Sequence, residues 1–561
     1  MKNKISVTIA SNATVAKITN ADTDIKRIVG KLLSYTIAGY EKTTLGKVQG
    51  WDGKKSLFSA RNCTFPAGFC RSVVGALIKR GYTVNWVKKP LPGINGERLP
   101  KVDEFGYQDK YDYQPKSIDK LLQYGQGIAN LATGAGKSRV ARIAYKTVQR
   151  KTLFLTTRSI LLYQMKDDFE NLLSEKVGVL GDDQWNPVNG FNVGMIQTLS
   201  RRLEELSIES ELERQIDLEE QDYMRKMESK KSELAKGKIP SKERVDILTK
   251  YSKQLKSNRI SDKHLVIKVT NKVTNHNERR LETIDFLKSI EFIILEEAHE
   301  SGGEGYYQVC MNCTNAYYRL ALTGTAFMKE DEEANMRLMA VCGAVIIKVS
   351  EKDLIDKGIL ATPKFVFEKL PRPPNLYRSS SWQKAYNVGI VNNAVRNDSI
   401  VDKCFLMAAY GLTSMVLVLR KAHGEILKSL IQKEGLRVSF IYGDKSREER
   451  NCALKKLESG QIDVLIGTSI LDVGVDVPSV GAVILAGGGK AEVNMRQRVG
   501  RGLRAKKSGP NICFVFDYLD AHNDHLTKHS STRRKIIMDT PGFRENVVNE
   551  IDPEEYGFNK I

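Results

Sequence analysis

The chain has 561 residues, 41% of them hydrophobic, and carries 87 Lys and Arg against 67 Asp and Glu, a formal net charge of +20. That length suits three or four domains with real cores. No run of about 18 apolar residues occurs, so no transmembrane helix and no membrane partner are expected. Eight cysteines in so long a chain do not make a disulfide scaffold, and the N-terminal stretch lacks a secretory signal of normal form, so a cytoplasmic location is expected. The charge is uneven. Residues 1–110 hold 19 Lys and Arg against 8 Asp and Glu, more than half of the whole surplus, which points to a polyanion partner met by this end of the chain.

In chain order, residues 1–105 read as a small basic α+β unit. Strand-like pieces at Ser6–Ile9, Ser56–Ser59 and Tyr82–Val87 alternate with a helical run at Ser72–Lys79, and a Pro/Gly cluster at 89–96 closes the unit. From 106 to 360, short apolar β-branched runs recur between helical stretches, at Ile128–Ala132, Thr152–Thr156, Asn192–Ile196, Phe292–Leu295 and Arg319–Thr323. Strands of this kind belong to a parallel sheet covered on both faces. The rhythm breaks at about 201–260, where both charge signs are dense and apolar residues fall at helical spacing around the interruption Lys236-Gly-Lys-Ile-Pro-Ser241. This reads as an inserted helical hairpin, either solvated or in contact with DNA or a partner. From 361 to 561 the strand–helix repeat starts again, with strands expected at Met415–Leu419, Val438–Tyr442, Val464–Thr468, Ala482–Ala486 and Ile512–Asp517. The expected fold class is therefore α/β: two tandem parallel-sheet lobes with a site between them, a basic N-terminal unit and a helical insertion.

The chemistry is carried by segments far apart in sequence. Leu131-Ala-Thr-Gly-Ala-Gly-Lys-Ser138 lies between a strand and a helix. Thr133, Gly134, Ala135 and Gly136 can wrap a phosphate with backbone N–H groups at a helix N-terminus, Lys137 can reach the outer phosphates, and Ser138 can hold Mg²⁺. Gln114, beside Tyr113, lies where an adenine-reading glutamine would sit. Glu291-Phe-Ile-Ile-Leu-Glu-Glu-Ala-His299 is an apolar strand ending in carboxylates. Glu296 can take the metal, Glu297 can polarise the attacking water, and His299 can couple the nucleotide to the second lobe. Thr323 and Thr325 end the next strand as a hydroxyl relay. Thr156, Arg158 and Gln197 in the first lobe and Thr468 in the second suit contacts to a DNA backbone. In the second lobe, Asp476 is a ribose candidate. Arg498, Arg501 and Arg504 recur at intervals of three beside Gln497. Arg501 and Arg504 suit the spread charge of a phosphoryl transition state, with Gln497 placing water or nucleotide. Cys310 and Cys313 have CxxC spacing without a second pair, and His522, His525 and His529 share a helical face beside carboxylates; both sets read as structural rather than metal-binding.

The ordered set YQ, ATGAGKS, TTRS, QTLS, EEAH, LTGTA, TSILDVGVD and QRVGRGLR resembles the superfamily-2 DNA helicases over residues 110–535, and within them the phage branch-migration helicases with their XPB-like relatives. The pairs Gly50-Trp-Asp-Gly53 with Phe65-Pro-Ala-Gly-Phe69, and Phe516-Asp-Tyr-Leu-Asp520 with His529 and Arg533, extend the resemblance to both ends. It implies two RecA-like lobes, ATP with Mg²⁺, and translocation on DNA with remodelling of forks, junctions, D-loops or R-loops in replication, recombination or repair. It also implies a phage source and host cytoplasm, with other replication or recombination proteins as partners. Glutamate at 296 stands where most relatives carry aspartate, and the insertion departs from the family pattern. A duplex translocase without strand separation, an RNA helicase and a nucleotide-dependent scaffold without turnover are the alternatives.

Overall fold

The computed structural model describes residues 6–42, 51–236, 241–257, 262–298, 303–325, 327, 331–468, 479–489, 496, 499–500, 502–506 and 509–561. Its N-terminal unit is a four-stranded sheet in the order Thr64–Pro66, Val15–Thr19, Ser6–Ser11, Thr83–Lys88. Alternation decides its faces. Val7, Ile9, Ala16 and Ile18 turn inward, and Thr23–Leu32 and Cys70–Lys79 cover them with Ile25, Val29, Val73 and Leu77. Asp22 caps the first of these helices by accepting from the Ile25 N–H at 2.7 Å. The unit is not free-standing. Ala340 of the helix Glu332–Cys342 completes its core, and a Cβ on Gly68 would lie 2.1 Å from the Met339 carbonyl oxygen, so the two backbones touch. The piece expected as a strand at Ser56–Ser59 is instead the end of the short strand Lys54–Ser56 paired with Ser34–Thr36.

The central sheet has eight strands in the order Gln184–Asn186, Gly178–Gly181, Phe191–Met195, Thr152–Thr156, Phe292–Glu296, Tyr318–Thr323, Gln126–Leu131, Val345–Val349. All neighbours run parallel except the first pair. Helices on both faces bury the central strands, as their continuous apolar runs require, while the edge strands Gln184–Asn186 and Val345–Val349 stay partly exposed. The second large sheet has six strands, all parallel, in the order Thr362–Glu368, Ile512–Tyr518, Ala482–Ile484, Ser414–Leu417, Val464–Gly467, Val438–Ile441. The α/β reading with two RecA-like lobes is the architecture found. Four strands in the two sheets carried no clear signal: Gly178–Gly181, Gln184–Asn186 and Val345–Val349 in the first, and Thr362–Glu368 in the second with its Pro363, all edge or near-edge strands; the strand expected at Asn192–Ile196 is found at Phe191–Met195 and gives Ile196 up to the next helix.

The insertion is larger than the hairpin expected at 201–260. Three helices fill it, Ile208–Lys236, Ser241–Ser257 and Asp262–Lys288. Tyr223 bonds Ser252, Glu211 pairs with Lys272, and Leu206 meets Asn277. Both later helices therefore run antiparallel to the first, one along its outer half and one along its inner half, and the return leg of a hairpin is simply broken in two.

Candidate phosphate-binding site between the two sheets

The site is built on the carboxyl ends of three adjacent strands. Gln126–Leu131 runs into the glycine loop, and the helix Lys137–Val148 follows from its Gly136 N-cap. Gly134 and Gly136 have φ of 89° and 79°, where a side chain is strained. A Cβ on Gly136 would also lie 2.7 Å from Gln114 Nε2, and one on Gly134 would lie 2.7 Å from Leu360. The cradle is thus open only because both positions are glycine, and it fits a phosphate at a helix N-terminus.

The loop is held from behind by a network the sequence did not reveal. The Ala135 carbonyl oxygen accepts from Tyr113 Oη at 2.9 Å and from Gln114 Nε2 at 3.0 Å. Gln114 Oε1 accepts from Arg139 Nη1 at 2.6 Å, and Arg139 donates to both oxygens of Asp103 at 2.6 and 3.0 Å. The guanidinium holds the Asp103 carboxyl below its usual range, and burial pushes the Tyr113 phenol well up, so it stays a donor. Gln114 is 2% exposed and belongs to this buttress as well as to the rim of the loop.

Lys137 Nζ lies 3.7 Å from Glu297 Oε1, both side chains largely shielded. The parallel neighbours Phe292–Glu296, Tyr318–Thr323 and Gln126–Leu131 bring this about, because their carboxyl ends share one edge of the sheet. Glu297 sits at φ 44°, an unfavourable conformation for a non-glycine residue, held where the strand ends. Glu296 is 9% exposed at the last strand position. Thr323 Oγ1 accepts the Thr325 N–H at 3.2 Å and donates to its carbonyl at 3.1 Å, closing a tight turn. Gly324 lies beside Leu131 and Thr133 in that turn.

The second sheet reaches the same loop. A Cβ on Gly500 would lie 2.8 Å from Thr133 Cβ, so the backbone around Gly500 is pressed on the phosphate loop. Three further contacts fasten this approach. Arg496 forks onto Glu351 with distances of 2.5 to 2.9 Å, the Ala361 N–H donates to the Leu503 carbonyl at 2.6 Å, and Leu360 bridges to Arg504. Glu351 begins a helix of the first unit, with its capping box formed by Ser350 and Asp353. Gln497, Arg498, Arg501, Asp476 and His299 lie outside the described residues.

Along the same sheet edge, Arg158 precedes the helix Ser159–Leu173, and Gln197 donates to the Thr157 carbonyl at 3.0 Å from the start of Ile196–Leu203. Thr156 differs from its expected placement. It is 1% exposed, and its hydroxyl accepts the Arg158 N–H, because the strand end turns it into the core. Thr156 shapes this turn, and the side chains nearer solvent are those of Arg158, half-buried, and Gln197, exposed. Thr468 follows the strand Val464–Gly467, its N–H donating to Ile441.

Elsewhere, Cys310 and Cys313 are fully buried, and burial pushes the Cys313 thiol up to about 12. Their carbonyl oxygens, with that of Ala316, accept from the fully buried guanidinium of Arg319. Arg319 therefore needs no carboxylate; it satisfies the carbonyls at the C-terminal end of the helix Glu304–Asn312, where a cation is favoured. His522 Nε2 meets the Leu370 carbonyl oxygen and the His529 ring packs on Trp382. Arg533 donates to Asp517 and Arg396 to Asp520, two buried pairs that lock the end of the second sheet.

Residues 109–224 match the family described as the type III restriction enzyme, res subunit, and residues 398–506 match the helicase conserved C-terminal domain. Among curated proteins the chain is similar to the putative ATP-dependent helicase IRC3 of Saccharomyces cerevisiae, 25% identical over 43% of this chain and 36% of that one. It is also similar to the ATP-dependent DNA helicase uvsW of Enterobacteria phage T4, 23% identical over 43% of this chain and 48% of that one. The chain thus spans less than half the length of these relatives. Its fold is shared with the helicase MrfA solved bound to DNA, with a TM-score of 0.50 and 12% identity over 83% of this chain and 53% of that one.

Proposed function

We propose that this chain, a superfamily-2 ATP-dependent helicase resembling uvsW, is a DNA motor that unwinds or branch-migrates forked and junction DNA. The observation that carries the motor reading is the meeting of three segments at one loop: Lys137 beside Glu297, Gly324 beside Thr133, and Gly500, between the strands Ala482–Ile484 and Ile512–Tyr518 of the second sheet, pressed on Thr133. ATP is the substrate. Mg²⁺ bound with it would be held by Ser138 and Glu296 and would supply charge neutralisation on the phosphates. Gly134 and Gly136 leave room for the phosphates, and Lys137 leaves Glu297 to meet the outermost one. Glu297 then accepts a proton from the attacking water. Arg501 and Arg504, the arginines of the second lobe, would supply positive charge to the transferring phosphoryl, so closure of the lobes would assemble the catalytic set.

Movement follows from grip on a backbone by two lobes in turn. Arg158 and Gln197 hold one stretch of strand and Thr468 holds the next, with the Thr323–Thr325 turn and His299 relaying nucleotide state. Backbone contacts carry little sequence preference. The choice of DNA rests on the net charge of +20, on its concentration in the N-terminal unit, and on the uvsW likeness. The test is ATP hydrolysis with no polynucleotide, single-stranded DNA, duplex, a fork and RNA. Strongest stimulation by the fork, lost in Glu297→Gln, is the expected result. Stimulation by RNA alone would replace this reading with an RNA helicase.

A further inference from the structure

We infer that the outer half of the inserted helical arm is a second contact for the nucleic-acid backbone, separate from the cleft between the sheets; the inference rests on the motor reading above. The first arm helix, Ile208–Lys236, has 29 residues and is about 43 Å long at 1.5 Å per residue. Its charge is divided along its length. Residues 206–221 together with the helix Asp262–Lys288 contain ten Asp and Glu against seven Lys and Arg, whereas residues 222–236 together with the helix Ser241–Ser257 contain ten Lys and Arg against five Asp and Glu.

The two halves also differ in how they are held. The inner half has a small core of Leu265, Val269 and Val273 against Leu206 and Leu212, and its buried Glu211 is neutralised by Arg214 and Lys272. Its root is bolted to the helix that carries Gln197. Arg202 lies 3.6 Å over the Trp185 ring and bonds Thr283 and Glu282, Arg280 donates to the Leu203 carbonyl, and His276 meets that of Glu204. A lever so fixed keeps a set position relative to Gln197, about 7.5 Å along that helix from Arg202.

The outer half is built differently. Within it, Arg225 and Lys226 share Asp222, and Lys230 pairs with Glu233, and by composition this half still holds more cations than carboxylates. Lys231, Lys250 and Lys253 are exposed and make no ion pair with a described residue. Like charges on adjacent helices repel over a Debye length of about 8–10 Å, so this surface costs the arm stability unless a polyanion lies on it. The acidic inner half repels the same polyanion and confines it to the outer half, beginning about 24 Å from the root. A phosphodiester backbone fits such a charge distribution, because it is read by charge and position without base contacts.

The test is Lys231→Glu/Lys250→Glu/Lys253→Glu in the full chain, measured as the salt dependence of binding to a forked DNA. Each lost backbone contact lowers the slope of log K against log salt by about 0.9, so a fall of two or more is expected, with at least a tenfold weaker affinity at fixed salt. The unstimulated ATP hydrolysis rate, its KM for ATP and Tm stay as in the parent chain, and Lys231→Arg/Lys250→Arg/Lys253→Arg keeps the parent slope. An unchanged slope, in a parent chain whose hydrolysis DNA does stimulate, overturns the inference and leaves the motor reading standing. A parent chain that no polynucleotide binds or stimulates overturns both.

Discussion

Glu297 and Lys137 define the residue scale. They approach to 3.7 Å although 160 positions separate them, and Glu297 does so at a backbone angle few glutamates adopt. Replacing Glu297 by Gln keeps the shape and removes the proposed base, so DNA-stimulated kcat is expected to fall by about 10² or more while KM for ATP changes little. Gly136 is the complementary case. Gly136→Ala puts a methyl 2.7 Å from Gln114 at a φ that alanine resists, and KM for ATP should rise at least tenfold in steady-state assays. His423 makes a prediction about pH. It is fully buried, bonded to Asn397, and burial beside Arg396 lowers its pKa to about 3. The folded protein therefore resists a proton that the unfolded chain accepts near pH 6.5, and stability is lost as pH falls from about 6.5 toward 3. His423→Gln should flatten the fall of Tm between pH 7 and 5; an equal fall in both proteins would remove His423 as its cause.

At the scale of elements, the informative contact is between the first sheet's closing helix, Glu351–Asp356, and the segment around Gly500. Arg496 on Glu351 and Leu503 on Ala361 hold the second sheet against the phosphate loop. Leu360 fills the space over Gly134 and is 1% exposed. Leu360→Ala leaves a cavity there, with an expected loss of about 2–5 kcal/mol in urea unfolding and a higher KM for ATP. A milder effect, without change in KM, would mean that the seam only joins the lobes and does not shape the cradle. The buttress from Asp103 through Arg139 and Gln114 to Ala135 is a second such device, built from a loop and two helices that no strand–helix rhythm connects.

At the scale of the whole molecule, three basic or anion-facing surfaces are tied to one rigid first sheet: the cleft edge, the arm, and the N-terminal unit. Removing the N-terminal unit would uncover Ala340 and the Met339 backbone, so truncation mixes lost binding with lost folding. Lys17, Lys88 and Lys89 instead line one open concave surface of its sheet with Val15 and Val87. The triple substitution of these lysines by Ala is expected to weaken fork binding and to lower its salt slope by up to about 2.7, with unstimulated hydrolysis unchanged. Equal slopes would remove this sheet from the DNA path.

Much of this was legible in the sequence, for stated reasons. A buried parallel strand must be apolar throughout, so Thr152–Thr156 and Phe292–Glu296 announced themselves, and the glycine loop did so because only glycine leaves space for phosphate. Edge strands such as Gln184–Asn186 are too short and too mixed to carry a period, and Asp262–Lys288 was hidden because its apolar residues serve two different faces along its length. Local pattern could not show that Thr156 turns inward, that Arg139 steadies the phosphate loop, or that Arg496 reaches Glu351. The sequence by itself determined the buried central strands, the loop and the charge, since these follow from continuous apolar runs, backbone freedom and composition. Tertiary structure decided which carboxylate meets Lys137 and which arginine closes on which helix, because those contacts depend on sheet order and on side chains brought together from opposite ends of the chain.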